Sequence, residues 1–276
     1  MDYLIIALAG LCLGSFFNVC IYRFPREKSV VTPGSACPGC GAPVKWYDNI
    51  PVLSYILLGG KCRNCKERIS LRYPVVELLT AAVYCFCYYR LGISYDFFRF
   101  CFLFSVCIQV SFIDIDYRAI PGWMCIVGML AGIIAELFYT VYKFGASAVF
   151  MEPMTVPFIR SVAGAVISMG AAYFLKLIGD LGLWIYLALI KKEDLEGEKE
   201  SLGLGDVDFL GMVGAFAGYK LGILTFFLAP FVAVSYGLYL MAAKKSHLIA
   251  YLPYLSIAAF IAVFWGEQIF KLLFQV

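Results

Sequence analysis

The chain has 276 residues, of which 62% are hydrophobic, 17% aromatic and only 15% charged. Together with a mean hydropathy of +0.84, this excludes a soluble domain and points to an all-α polytopic membrane protein. A net charge of +3 is too small to argue for nucleic acid as a partner. The single histidine, His247, excludes most His-dependent hydrolytic mechanisms and any multi-His metal site.

Asp2 to about Tyr22 is apolar and long enough to cross the hydrocarbon. Asp2 stands where a signal peptide would carry basic residues, and the apolar run passes any plausible cleavage point, so residues 1–22 read as a retained first span. Within it, Ser15 and Asn18 share one face, which suits close helix contact or a site near the interface.

Residues 23–72 form a polar insert. It carries Arg23, Arg26, Lys28, Lys45, Lys61, Arg63, Lys66, Arg68 and Arg72 against only Glu27, Asp48 and Glu67. That bias places the insert in the cytoplasm and the N-terminus outside. Rich in proline and glycine, it needs a staple to fold. Cys37-Pro-Gly-Cys40 and Cys62-Arg-Asn-Cys65 have the spacing of a four-thiolate zinc ribbon, and a cytoplasmic location disfavours the alternative of disulfides. Four protein ligands would leave no open position, so the Zn2+ would be structural. The stretch Asn49 to Leu58 between the knuckles should lie on the membrane surface or pack on the spans. The other seven cysteines lie in apolar segments and read as small buried hydrophobes.

The remainder, residues 73–276, reads as a membrane-embedded domain. A second span runs from about Tyr73 to Tyr89 with Glu77 near its start, and a third from Asp96 to Ile113. Asp114-Ile-Asp-Tyr-Arg118 is then a polar island, and Ile120-Pro121-Gly122 opens a fourth span to about Tyr142. Lys143 to Pro157 is an outside loop, and Phe158 to about Lys176 a fifth span. Asp180 to Ile190 reads as a short interfacial or re-entrant piece, and Lys191 to Ser201 as a charged cytoplasmic linker. A brief sixth span starts at Asp206, with Asp206 placed as the N-cap. A seventh runs from Leu221 to about Ala243 with a kink at Pro230. After a turn holding Lys244, Lys245 and His247, an eighth runs from Leu248 to about Phe270. About eight transmembrane helices with a small cytoplasmic zinc-ribbon-like insert result, and the basic clusters fall on one side.

Under this topology Asp114 and Asp206 lie at one membrane depth on the cytoplasmic side. Ionisable residues there are costly and so are functional candidates; an ordinary capping role for Asp206 is the alternative. If the two face each other, repulsion and desolvation make them share a proton. One could then draw a proton from water while the other protonates a scissile carbonyl, the chemistry of an aspartic peptidase. The helix N-terminus at Asp206 favours it as the base.

Asp114 followed by Ile120-Pro121, together with Gly203-Leu-Gly-Asp206, resembles the two aspartate motifs of the prepilin peptidases, polytopic GxGD-type aspartic endopeptidases. The N-terminal part is similar to the long bacterial form of that family in Gly14-Ser-Phe-Phe-Asn-Val19, Ile21-Tyr-Arg-Phe-Pro25, the two Cys pairs, Trp46 to Ser54 and Ile69 to Glu77. The resemblance implies cleavage of a short basic leader from type IV prepilins or pseudopilins, in the bacterial cytoplasmic (inner) membrane with the active site facing the cytoplasm. It also implies N-methylation of the new terminus with S-adenosyl-L-methionine. Asp114 and Asp206 then carry over as the catalytic pair, and Cys37, Cys40, Cys62 and Cys65 as the zinc ligands.

Two positions depart from the family's usual pattern: Gly122, where Asp or Asn is frequent, and Asp208, where Lys is common. Asp208 and Asp116 could tune the pair or recruit the basic leader, or be solvated boundary carboxylates. No Gly-rich nucleotide loop is present, so methyl transfer would use the junction of the insert with the spans, where Asn18, Arg72 and Glu77 are the candidate cofactor contacts. A competing function is a proton- or cation-coupled transporter with a zinc-ribbon docking domain. It leaves the two glycines before Asp206, and the acids' place at the membrane edge, unexplained.

Overall fold

The computed structural model describes residues 1–118, 121–190, 201–242 and 250–274. Ile120, the Lys191 to Ser201 linker up to residue 200, and the turn with Lys244, Lys245 and His247 lie outside the described residues. Long apolar runs with few internal breakers should form helices, because a chain in lipid must satisfy its own backbone hydrogen bonds. The described residues hold α-helices and short 3-10 turns and no strand. They divide into two compact units, Met1–Ile120 and Pro121–Val276.

In the first unit, α1 (Asp2–Arg23) packs on α3 (Arg72–Leu91), and both pack on α4 (Tyr95–Tyr117), with the insert and the short α2 (Leu53–Leu57) between α1 and α3 in sequence. Gly10 and Gly14 set the α1–α3 approach. A Cβ on Gly10 would lie 2.6 Å from Ala81 Cα, and one on Gly14 2.7 Å from Glu77 Cα, so the two backbones touch where side chains would hold them apart. Helix α4 starts on a cap: Ser94 Oγ accepts the N–H of Phe97 at 3.2 Å. It buries Leu103, Val110 and Ile113 completely and continues to Tyr117, where Arg118 takes a left-handed conformation with φ +50°. The expected break after Ile113 is therefore absent. Asp114 lies inside the helix, in its last turn.

The second unit comprises α5 (Gly122–Phe144), α6 (Pro157–Ile190), α7 (Leu204–Ala217), α8 (Tyr219–Ala242) and α9 (Leu252–Phe274). Helix α7 is its centre and packs against the other four. A helix apolar on every side has to be enclosed, and the residues from Asp206 to Phe216 are all buried apart from half-buried Asp208. Glycines again permit the closeness, since a Cβ on Gly214 would lie 2.2 Å from the carbonyl oxygen of Gly164 in α6.

Among the described residues, five helical stretches are long and apolar enough to cross a membrane: Asp2–Arg26, Tyr95–Tyr117, Gly122–Phe144, Pro157–Leu189 and Leu252–Leu273. The protein is thus a multi-pass membrane protein, but α3, α7 and α8 are not among these five. Helix α7 has 14 residues, about 21 Å at 1.5 Å per residue and short of the ~30 Å hydrocarbon core. Two other expectations need correction. Asp180 to Ile190 is no separate piece, because α6 runs unbroken through Gly179 and Asp180 for 34 residues. The helix expected to open at Asp206 opens at Leu204 with Gly203 as its N-cap, which places Asp206 in the first turn.

Candidate functional site

The four cysteines of the insert converge. Their sulfur atoms all lie within 4.8 Å of one another, and Cys37 Sγ is 3.8 Å from Cys65 Sγ. Four thiolates around Zn2+ at ~2.3 Å would have edges of about 3.8 Å, so the donor set fits that ion. The two knuckles are built alike, twenty-five residues apart in sequence. The N–H of Cys37 donates to Ala42 and that of Gly41 to Cys37; equivalently, Cys62 donates to Glu67 and Lys66 to Cys62. Isolated bridges between Ala36 and Pro43 and between Lys61 and Arg68 close each turn. Both turns need a left-handed residue, which Gly41 supplies with φ +69° and Lys66 with φ +63°. The N–H groups of Cys65 and Asn64 lower the Cys62 thiol to about 7, toward the thiolate that a metal needs. Arg63 binds Asp48 through two nitrogens, at 2.8 and 2.6 Å, and holds its carboxyl below the usual range.

A cavity of about 930 Å3 lies in the first unit, walled by α1, the insert, the start of α3 and the end of α4. Asn18, Arg72 and Glu77, the three candidate cofactor contacts, all line it. Asn18 is 1% exposed and donates to the carbonyls of Gly14 and Tyr73, while its Oδ1 has no hydrogen-bond partner among the described residues. Glu77 Oε2 accepts the N–H of Val52 at 2.7 Å, which pins the stretch between the knuckles onto α3. Leu53, Ile56 and Leu57 of that stretch remain exposed.

Arg72 pairs with Asp116 and leaves its buried Nε without a partner among the described residues. Asp116 is therefore ion-paired while remaining exposed at the end of α4. Two arginines that sequence reasoning passed over complete the wall. Arg23 donates to the carbonyls of Ser29, Pro33 and Gly34, and Arg26 donates to Tyr117 Oη and stacks on Tyr22 with 4.0 Å to the ring centroid. Arg23 stands in the Ile21-Tyr-Arg-Phe-Pro25 motif, a signal not followed up, whereas nothing set Arg26 apart from the other basic residues of the insert.

The two candidate catalytic acids belong to different units and are both buried near a helix end. Asp114, 8% exposed, is in the last turn of α4; Asp206, 7% exposed, is in the first turn of α7. Asp206 folds back over its own N-cap, because a Cβ on Gly203 would lie 3.3 Å from Asp206 Oδ2. Glycine at that position leaves room for the carboxylate. Asp208 and Gly122, the two departures from the usual pattern, lie against each other: Asp208 Oδ2 is 3.4 Å from where a Cβ on Gly122 would stand. The two unusual residues are spatial neighbours.

Known proteins resemble this chain along most of its length. A model described as the bacterial peptidase A24 N-terminal domain matches residues 8–91, and one described as the type IV leader peptidase family matches residues 101–238. The chain is 30% identical to a prepilin leader peptidase/N-methyltransferase of Pseudomonas aeruginosa, over 97% of this chain and 92% of that protein. The chain belongs to the type IV leader peptidase family. A protein of the same description from Pseudomonas putida is 32% identical over 95% of this chain and 90% of its own length. One from Myxococcus xanthus is 36% identical over 79% of this chain, which spans only 57% of that relative. No solved structure matches. Leader peptidase family membership gives the transporter reading no support. The N-terminal match covers the insert and all four clustered cysteines, and the second match covers Asp114 and Asp206.

Proposed function

We propose that this protein is a membrane aspartic endopeptidase of the bacterial inner membrane. It cleaves the basic leader from type IV prepilins or pseudopilins at the cytoplasmic face and methylates the new N-terminus. The observation that carries the reading is the occurrence, in a leader peptidase chain, of two buried carboxylates at opposite kinds of helix end. The partial positive charge at the start of α7 suits Asp206 to be the ionised base, and the partial negative charge at the end of α4 suits Asp114 to be the acid. Asp206 takes a proton from water as the hydroxide adds to the scissile carbonyl, and Asp114 gives its proton to the carbonyl oxygen. The tetrahedral intermediate then collapses as one of its hydroxyls returns a proton to Asp114 and the carboxylic acid now at Asp206 protonates the leaving amine.

Helices α3, α7 and α8 complete an eight-helix membrane domain, with α7 shielded by its neighbours. The basic insert lies on the cytoplasmic side and holds one structural Zn2+ through Cys37, Cys40, Cys62 and Cys65. S-adenosyl-L-methionine supplies an electrophilic methyl group when bound. The open Oδ1 of Asn18 and Nε of Arg72 fit the polar groups of such a cofactor, and Asn18, Arg72 and Glu77 would hold it in the cavity of the first unit.

Mass spectrometry of the N-terminus of a prepilin co-expressed with this protein tests both activities. The expected product lacks its leader and carries one added methyl on its first residue. A leader left in place would contradict the peptidase reading, and a cleaved but unmethylated product would remove the second activity.

A further inference from the structure

The chain passes Asp180 within α6 and comes back to it at Ser201. Asp180 Oδ1 accepts the N–H of Ser201 at 2.7 Å, and the Ser201 hydroxyl lies 2.7 Å from the same oxygen and 3.2 Å from the carbonyl oxygen of Lys176. The other carboxylate oxygen is held at 2.8 Å by Lys176 Nζ, from a lysine that is 6% exposed. Gly179 makes room for this closure. A Cβ there would lie 2.5 Å from Ser201 Oγ and 2.9 Å from Ser201 Cβ. Ser201 is thus held against α6 one turn before α7 begins.

The residues just past Ser201 give the closure its meaning. Gly203, two positions on, is the N-cap of α7, and its carbonyl accepts the N–H of Asp206 at 3.1 Å. Asp206 Oδ2 in turn packs over Gly203. From Asp180 to the Asp206 carboxylate the connection is therefore one fixed serine, one leucine and one helical turn.

We propose that Asp180 is a positioning residue for Asp206. With Lys176 fixing its orientation and Gly179 giving access, it clamps Ser201 and so sets where the α7 N-terminus presents its carboxylate. The inference rests on the assignment of Asp206 to leader cleavage. A role in loop anchoring alone would affect stability and leave turnover per folded molecule unchanged. Misplacing a reacting group by about 1 Å costs up to ~100-fold in rate, so a positioning role acts on kcat.

The test is steady-state cleavage of a purified prepilin by the full-length protein in proteoliposomes, with thermal unfolding measured in parallel. Asp180→Ala should lower kcat at least ~10-fold with KM within twofold, and Asp180→Asn, which keeps an acceptor oxygen, should recover most of the loss. Gly179→Ala separates the two roles. Its Cβ would lie 2.5 Å from Ser201 Oγ and disrupt the closure, so anchoring alone predicts a lower Tm and wild-type kcat per folded molecule. The positioning role predicts in addition a kcat loss of ~10-fold per folded molecule. Wild-type kcat in Gly179→Ala, or a change confined to KM, would overturn the proposal. Inactive wild-type protein would instead overturn the underlying peptidase reading.

Discussion

Arg72 at the start of α3 is ion-paired with Asp116 in the last turn of α4, two residues beyond Asp114. The pair forms part of the cavity wall, so the cavity and the helix end carrying the candidate acid share one contact. Arg72→Ala should therefore lower both methyl transfer and leader cleavage. Because the pair is partly exposed, we expect a modest stability loss of ~1–2 kcal/mol. The charge swap Arg72→Asp with Asp116→Arg should restore cleavage further than methylation, because it restores the ion pair but removes the arginine from its place in the cavity wall. Parallel assays of both activities check this.

The thiol cluster gives a metal and pH prediction. Elemental analysis of the purified protein should find one zinc per chain, lost in Cys40→Ser. The Cys62 thiol is lowered from 9.0 to about 7, so its deprotonated form is populated at and above neutral pH. As pH falls through about 7, protons compete for it, and zinc affinity should drop by about tenfold per pH unit for each thiol that must lose a proton. Competition with a chromogenic chelator from about pH 5.5 to about pH 8.5 measures the slope.

The likeness of the two knuckles makes opposite predictions at matched positions. Gly41 and Lys66 occupy the same left-handed site, and a Cβ on Gly41 would meet nothing within 4 Å, so backbone strain alone decides. Gly41→Ala should destabilise the insert by ~1 kcal/mol and Lys66→Gly should stabilise it by a similar or smaller amount. Thermal unfolding of the zinc-loaded protein gives both signs.

Gly203→Ala should impair cleavage without unfolding the protein. The new Cβ would sit 3.3 Å from Asp206 Oδ2, near enough to displace the carboxylate, and a shift of that kind is expected to cost ~10-fold or more in kcat. The kcat and KM of the variant, with Tm as control, report it.

The features legible in the sequence were those set by local spacing. Cys-x-x-Cys twice specified the thiol cluster, and long apolar runs specified helices. The glycines before Asp206 marked a turn, although they did not show which residue would cap the helix. Gly179-Asp180 looks like a helix break in sequence, yet α6 continues through it because Lys176 and Ser201 satisfy Asp180. The Lys176–Asp180 pair has the i, i+4 spacing of a helical ion pair and could have signalled that continuity. Ser201 carried no signal, since its partner lies twenty-one residues away. Helix α7 was read as a membrane crossing on hydropathy, which cannot distinguish a face toward lipid from one toward protein.

Joint action of Asp114 and Asp206 in cleaving the leader stands or falls on the fraction of prepilin processed by Asp114→Asn and by Asp206→Asn. Each variant is co-expressed with the prepilin at membrane levels matched to wild type. Each replacement keeps the side chain's shape and removes its acid–base function, so each should leave the prepilin at full length. Processing by either variant at the wild-type rate would contradict the pair.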